Sequence, residues 1–184
     1  MKLPVYILAG GKSSRFGGDK ARFSWRGRPL ILQAAQSLMQ FASNLTVVAE
    51  RAGKYDDLGL HTIADGKPGQ GPLGGIGAAL RDARGSDWIL CASCDRIGLK
   101  ASWIEDLFAA AGQEACVVAF RDERWQPLPA LYRTSITAVV EAALEAGRLS
   151  PWHTIESVAS VGLPLPNEWD SSLDVNEPGV LSGG

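Results

Sequence analysis

The sequence predicts an α/β protein built on a mostly parallel sheet, and three observations predict it. Several short apolar runs are continuous rather than alternating, which marks strands buried on both faces. Segments with helical spacing separate those runs, and the connections between them are short.

The elements follow in order. Val5 to Ala9 is an apolar run that ends in Gly10-Gly11, and reads as a buried first strand. A glycine-containing loop continues through Gly18. Pro29 then stands where a helix can begin, and Leu30, Ala34, Leu38 and Phe41 recur at helical spacing. Leu45 to Ala49 reads as a second buried strand and His61 to Ala64 as a short third. Gly71-Pro72-Leu73-Gly74-Gly75 opens a second helix that runs to about Ala83. Trp88 to Ala92 is another apolar strand, which ends in Ser93-Cys94-Asp95. A helix from about Ser102 to Ala111 and a strand from Ala115 to Phe120 complete the alternation. Beyond Phe120 the rhythm changes. Trp125 to Tyr132 holds two prolines and reads as an edge strand or extended segment, since proline cannot donate to a ladder. A helix from Ser135 to Ala146 follows, whereas the stretch from Pro151 to Pro166 has no clear period.

The 184 residues suit one domain, 1–184, with a nucleotide-binding half over 1–120 and an acceptor-side half over 121–184. Hydrophobic residues make up 46% and charged residues 21%, which argues against the disordered and fibrous classes. The net charge of −2 offers no broad attraction for a polyanion, so no nucleic acid is expected as partner. The charge is uneven, however. Lys12, Arg15, Lys20, Arg22, Arg26 and Arg28 crowd one segment in which Asp19 is the single acid, a field suited to a small anion. Three cysteines are few for a secreted scaffold, and no stretch approaches the ~20 apolar residues of a membrane span. The first apolar run is also too short for an export signal, so a cytoplasmic location without membrane partners is expected.

The segment from Leu8 to Lys20 carries most of the chemistry. Gly10, Gly11, Gly17 and Gly18 let the backbone approach a ligand closely, and successive N–H groups in such a loop can form a nest for phosphate oxygens. Arg15 and Lys20 bring positive charge to the same place, at the carboxyl end of a strand where α/β proteins bind ligands. A P-loop would need glycine where Tyr6 stands, and no dinucleotide fingerprint follows the strand.

Leu8-Ala9-Gly10-Gly11-Lys12-Ser13-Ser14-Arg15-Phe16-Gly17-Gly18-Asp19-Lys20 resembles the signature Leu-Ala-Gly-Gly-x-Ser-x-Arg-(Met/Phe)-Gly-x-Asp-Lys of the nucleotidyltransferases related to the molybdenum cofactor guanylyltransferase. Gly71-Pro72-Leu73-Gly74-Gly75 resembles that family's second loop. Cys94-Asp95 resembles its metal-binding aspartate, and Asp174-Val175-Asn176-Glu177-Pro178 its C-terminal segment. The resemblance implies a Rossmann-like three-layer sandwich of the nucleotide-diphospho-sugar transferase type. It implies nucleotide contacts at Leu8, Ala9, Gly10, Gly11, Lys20, Asp65, Gly71, Pro72, Leu73 and Asp95. It also implies Mg²⁺ on Asp95, catalytic roles for Arg15, Lys20 and Asp95, and an acceptor-side contact at Asn176.

Each position has a blander reading. Asp95 is also a good helix N-cap, and Asp65 also suits a turn. The family has proline after this aspartate where the chain has Arg96, and an asparagine near the end of the second strand where it has Ala49-Glu50. Cys91 and Cys94 lack the further ligands that zinc needs, and Cys91 reads as core. The tryptophans read as packing residues, although Trp125 and Trp152 could wall a pterin. No nucleophilic catalytic set can be built from His61 and His153.

The resemblance therefore implies guanylyl transfer from GTP to a molybdopterin-type cofactor, with room for a protein that delivers or accepts that cofactor. GTP rests on Gly10, since relatives that use other nucleotides more often resemble Leu-Ala-Ala-Gly. Two rivals stay open: transfer with another nucleotide or phosphorylated acceptor, such as cytidylyl transfer to the pterin, and a nucleotide-binding protein without turnover.

Overall fold

A computed structural model of the chain describes residues 2–10, 18–66, 69–96 and 98–169. Its strands are β1 (Leu3–Leu8), β2 (Ser24–Trp25), β3 (Arg28–Pro29), β4 (Ala42–Ala49), β5 (Thr62–Ala64), β6 (Trp88–Ser93), β7 (Val117–Arg121), β8 (Trp125–Arg133) and β9 (Ser160–Leu163). Its α-helices are α1 (Leu30–Leu38), α2 (Gly71–Asp82), α3 (Ala101–Ala109), α4 (Thr137–Glu145) and α5 (Pro151–Glu156). Among the described residues seven strands form one sheet in the order β5-β4-β1-β6-β8-β7-β9, and β2 and β3 make a separate small hairpin. In the large sheet only β8 runs against its neighbours.

Strand alternation divides the core into two slabs. Leu3, Val5 and Ile7 of β1, Val47 and Ala49 of β4, and Leu90 and Ala92 of β6 face one side, where Ile31, Ala35 and Leu38 of α1 and Trp103, Ile104 and Leu107 of α3 cover them. Tyr6 and Leu8, Val48, and Ile89 and Cys91 face the other, under Leu73, Ile76 and Leu80 of α2, Val140 of α4 and Ile155 of α5. The continuous apolar runs are thus explained, because both faces are under helices. The result is a three-layer α/β/α sandwich.

The segment 125–132 corrects the edge-strand expectation. β8 lies inside the sheet, with Cys91 of β6 opposite Ala130 on one side and Ala119 of β7 opposite Ala130 on the other. Its prolines are tolerated because the β7–β8 register shifts between Ala119 and Phe120, so Pro127 and Pro129 fall where the ladder is broken. The stretch without clear period holds α5 and β9, the latter a parallel edge strand beside β7. Phe41, placed on the first helix by spacing, falls in a 3₁₀ turn just beyond it. Among the described residues no helix is long and apolar enough to cross a membrane.

Candidate active site

From β1 the chain moves outward through β4 and β5 and then returns to the other flank of β1 as β6. Strand order reverses there, so a crevice opens at the carboxyl ends of β1 and β6, the position where open α/β sheets bind ligands. Leu8 lies opposite Ser93 at that edge. The Ala9 amide donates to the Val48 carbonyl at 2.9 Å and the Cys94 amide to the Leu8 carbonyl at 3.2 Å, which fixes the start of both loops.

Lys20 and Asp95 meet at this edge from positions 75 apart in the chain. Lys20 opens a 3₁₀ turn, Lys20–Arg22, whose cap is Asp19, with the Ala21 amide donating to Asp19 Oδ1 at 3.1 Å. Its Nζ donates to Asp95 Oδ2 at 2.6 Å, and the side chains are 16% and 26% exposed, screened from bulk water but not sealed from it. The helix-cap reading of Asp95 fails, because α3 starts at Ala101 with Lys100 at its N-cap. Beside Asp95, a cleft of about 180 Å³ runs between α1 and the 94–99 loop, lined by Gln33, Ser37, Cys94 and Arg96 among others. It is too small for a nucleotide, which needs roughly 300 Å³ or more.

Asp65 follows β5, with its amide bonded to the Ala49 carbonyl at 2.7 Å. A Cβ on Gly10 would stand 3.2 Å from Asp65 Oδ2, so the absence of a side chain at Gly10 is what leaves this carboxylate room against the first loop. Asp65 Oδ1 is buried with no hydrogen-bond partner among the described residues. Burial, then the nearby charge of Glu50, holds its carboxyl above the usual range. A buried acceptor without a partner has a vacant place for a hydrogen-bond donor.

The second loop lies at the same edge. Gly71 takes φ +61, a conformation open to glycine, and Pro72 occupies the first turn of α2. Both are exposed, whereas the Leu73 side chain is buried in the core and leaves only its backbone for a ligand. α2 packs tightly on β1 because a Cβ on Gly75 would meet Leu8 Cδ2 at 3.1 Å. Gly11, Arg15 and Asn176 lie outside the described residues.

Cys91 is wholly buried, and burial raises its thiol; that of Cys94 is pushed up to about 12, again by burial first. Neither is a nucleophile at neutral pH, and no cluster of metal-binding side chains exists among the described residues. Trp125 is 7% exposed and packs with the α2-side core, and Trp152 packs at its margin.

Two features went unread in the sequence. The first is a network around Asp19, in which Tyr55, Lys54 and Arg22 converge on one carboxylate. Asp19 directly before a short turn is a legible cap signal, but nothing near Tyr55 announces a partner 36 positions away. The second is Arg96, whose guanidinium lies 3.9 Å above the Trp169 ring, which itself packs on Trp103 and Phe120.

Comparisons with known proteins agree with this geometry. A family model described as the MobA-like NTP transferase domain matches residues 5–160. A "Probable molybdenum cofactor guanylyltransferase" of Deinococcus radiodurans is 39% identical over 149 residues, 80% of this chain and 76% of that one. A "Molybdenum cofactor guanylyltransferase" of Pseudomonas fluorescens is 32% identical over 182 residues, 96% of this chain and 90% of that one. Among solved structures, molybdopterin-guanine dinucleotide biosynthesis protein A from Archaeoglobus fulgidus superposes with a TM-score of 0.81 at 24% identity, covering 97% of this chain and 95% of that one. The 2-C-methyl-D-erythritol 4-phosphate cytidylyltransferase of Thermus thermophilus gives 0.72 at 14% identity, covering 98% and 96%, which extends the shared fold to nucleotidyltransferases with other substrates. With that match across most of its length, and with Lys20, Asp95 and the start of α2 at one sheet edge, the chain belongs to the family of the MobA-like NTP transferase domain.

Proposed function

We propose that the chain is a nucleotidyltransferase that moves GMP from GTP to the terminal phosphate of a molybdopterin-type molybdenum cofactor and releases pyrophosphate. The observation that carries this reading is the Lys20–Asp95 pair at the β1/β6 crevice, in a chain whose relatives bear the guanylyltransferase name over most of their length. The reaction joins a phosphate oxygen of the acceptor to the α-phosphorus of GTP and breaks the bond to the β-phosphate. The acceptor phosphate is already ionised at neutral pH, so the step needs no general base. Its difficulty is charge, since two anions must meet.

The residues divide that work. The backbone from Leu8 to Gly11 cradles phosphate oxygens, and Gly71, Pro72 and the backbone of Leu73 close the site from the start of α2. Lys20 and Arg15 place positive charge against the triphosphate. Asp65, with its unsatisfied Oδ1, accepts from the nucleotide's N–H or O–H groups. Asn176 contacts the acceptor.

Asp95 would hold Mg²⁺. The donor chemistry fits: a hard carboxylate oxygen, partly exposed at a strand end, supplies the one protein ligand that Mg²⁺ commonly takes beside phosphate and water oxygens. When bound, the ion would supply charge that neutralises the reacting phosphates. On this reading the reaction takes place in the cytoplasm, which the three free cysteines support, and a protein partner delivers or receives the cofactor there.

The test is titration of GTP, CTP and ATP with Mg²⁺, followed by pyrophosphate release from each with the pterin cofactor as acceptor. Selective GTP binding and GTP-dependent release are expected. Equal use of CTP would move the reading to cytidylyl transfer, and binding without release would move it to a nucleotide-binding protein.

A further inference from the structure

We propose that Asp19, Lys54 and Tyr55 are positioning residues that together set where the Lys20 ammonium stands; the kinetic part of this proposal rests on the transfer reading above. Lysine is a point charge on a flexible four-carbon stem, so its usefulness depends on how firmly its backbone is held. The backbone of Lys20 belongs to a three-residue 3₁₀ turn. An isolated turn of that length has no stability of its own.

What fixes it is a bracket from the β4–β5 connection. Asp19 Oδ1 accepts from the Ala21 amide at 3.1 Å and from the Tyr55 hydroxyl at 3.0 Å. Asp19 Oδ2 is ion-paired with Lys54 Nζ at 3.0 Å and stands 3.6 Å from Arg22 Nε. The acid next to Lys20 in sequence is thereby turned toward Lys54 and Tyr55, and Lys20 reaches Asp95.

Tyr55 is itself held on several sides. It is fully buried, its amide donates to Thr62 Oγ1 at 3.2 Å, and the Thr62 hydroxyl donates to the Leu60 carbonyl at 3.0 Å. The Lys54 and Arg22 cations flank its ring at 5.0 and 5.2 Å from the centroid. Lys54 reaches onward to Glu50, 2.9 Å away just past the end of β4. Arg22 is clamped by Asp57 at 2.7 and 2.8 Å and by the Lys54 carbonyl at 2.8 Å.

Surface ion pairs of this kind contribute little when they stand in water. This one is different because its centre is screened from bulk water: Tyr55 is wholly buried, and the side chains of Lys54 and Asp19 are 14% and 22% exposed. A buried centre that ties a single turn to the body of the sheet restricts the residue that turn presents, and that residue is Lys20.

The experiment combines a direct view of Lys20 with kinetics. Lysines of the whole chain are ¹³C-dimethylated, and the Lys20 resonance is assigned by its loss in Lys20→Ala. In the wild type it stands apart from the exposed lysines. In Tyr55→Phe, which keeps the ring and removes one hydroxyl, and in Lys54→Gln, it shifts toward them. With GTP, Mg²⁺ and the pterin cofactor, Tyr55→Phe lowers kcat about tenfold with little change in the KM for GTP, as the loss of one bond to a charged group implies. In a Lys20→Ala background the same change lowers the residual rate less than about twofold, because the effect passes through Lys20.

An unmoved Lys20 resonance in both variants overturns the proposal, and so does an equal loss of rate with and without Lys20. If the wild type releases no pyrophosphate while the resonance still moves, the transfer reading fails and the bracket stands.

Discussion

Replacing Lys20 by Met separates a structural ion pair from a phosphate contact. At 2.6 Å and an effective dielectric constant of about 20, the Lys20–Asp95 attraction is roughly 6 kcal/mol, and most of it is offset by desolvation of the two partly buried groups. A net contribution of about 1–2 kcal/mol remains, so Lys20→Met lowers Tm by about 2–8 °C in a chain of this size. Asp95→Asn in the same background removes the stranded carboxylate and recovers much of that loss. Turnover behaves oppositely. Loss of a cation aimed at the transferring phosphate lowers kcat/KM by about 10²–10³, and Asp95→Asn does not restore it. Calorimetric scans and coupled pyrophosphate release on the four proteins of this cycle check both halves. A Lys20→Met protein that keeps more than a tenth of wild-type kcat/KM would refute the reasoning, and would make Lys20 a structural partner of Asp95 only.

Three other outcomes follow from the geometry. Gly10→Ala puts a methyl group 3.2 Å from Asp65 Oδ2 and forces that carboxylate to give way, so the preference for GTP over CTP falls about tenfold in competitive titration, a scale one methyl group can reach. The Asp65 carboxyl is held above its ordinary range by burial and then by Glu50, so the folded chain binds its proton more readily than the unfolded chain does. The stability this confers is complete below about pH 4 and is lost as pH rises through the folded-state value. Asp65→Asn therefore raises Tm at pH 7 more than at pH 4, while GTP binding weakens; a Tm gain independent of pH would contradict the assignment. Trp169→Ala empties the aromatic stack against Trp103 and Phe120 and removes the platform under Arg96, costing about 3–5 kcal/mol in chemical denaturation, whereas Arg96→Ala costs about 1 kcal/mol.

What was legible in the sequence was what depends on local pattern. The runs at Val5–Ala9, Leu45–Ala49 and Trp88–Ala92 read as strands because nothing polar interrupts residues covered on both faces. The start of α2 was equally plain, since Gly71-Pro72 is a helix-entry signal on its own. β8 misled because proline argues against an inner strand unless the ladder is broken, and the break is a property of the β7–β8 register rather than of residues 125–133 alone. α5 and β9 are short, six and four residues, and owe their existence to packing against the α2-side core and to pairing with β7. At the site, the resemblance supplied Lys20, Asp65 and Asp95. That Lys20 meets Asp95, that Gly10 faces Asp65, and that Tyr55 anchors Asp19 are facts of tertiary contact, and no spacing along the chain encodes them.

The arrangement also bears on how such a site can hold its cations before a nucleotide arrives. An unpaired lysine at a partly buried sheet edge would carry a desolvation cost with no return. Pairing it with Asp95 offsets that cost, but it also commits to Lys20 the carboxylate that the proposed function gives to a divalent cation. Under that function the two cations would share one acid, and the triphosphate would bring the negative charge that lets Lys20 leave Asp95. The 2.6 Å pair would then compete with a metal for the Asp95 carboxylate until a nucleotide is bound. The bracket at Asp19 matters in the same balance. Because the turn is held from the β4–β5 connection rather than from Asp95, Lys20 can change partners without its backbone losing its place.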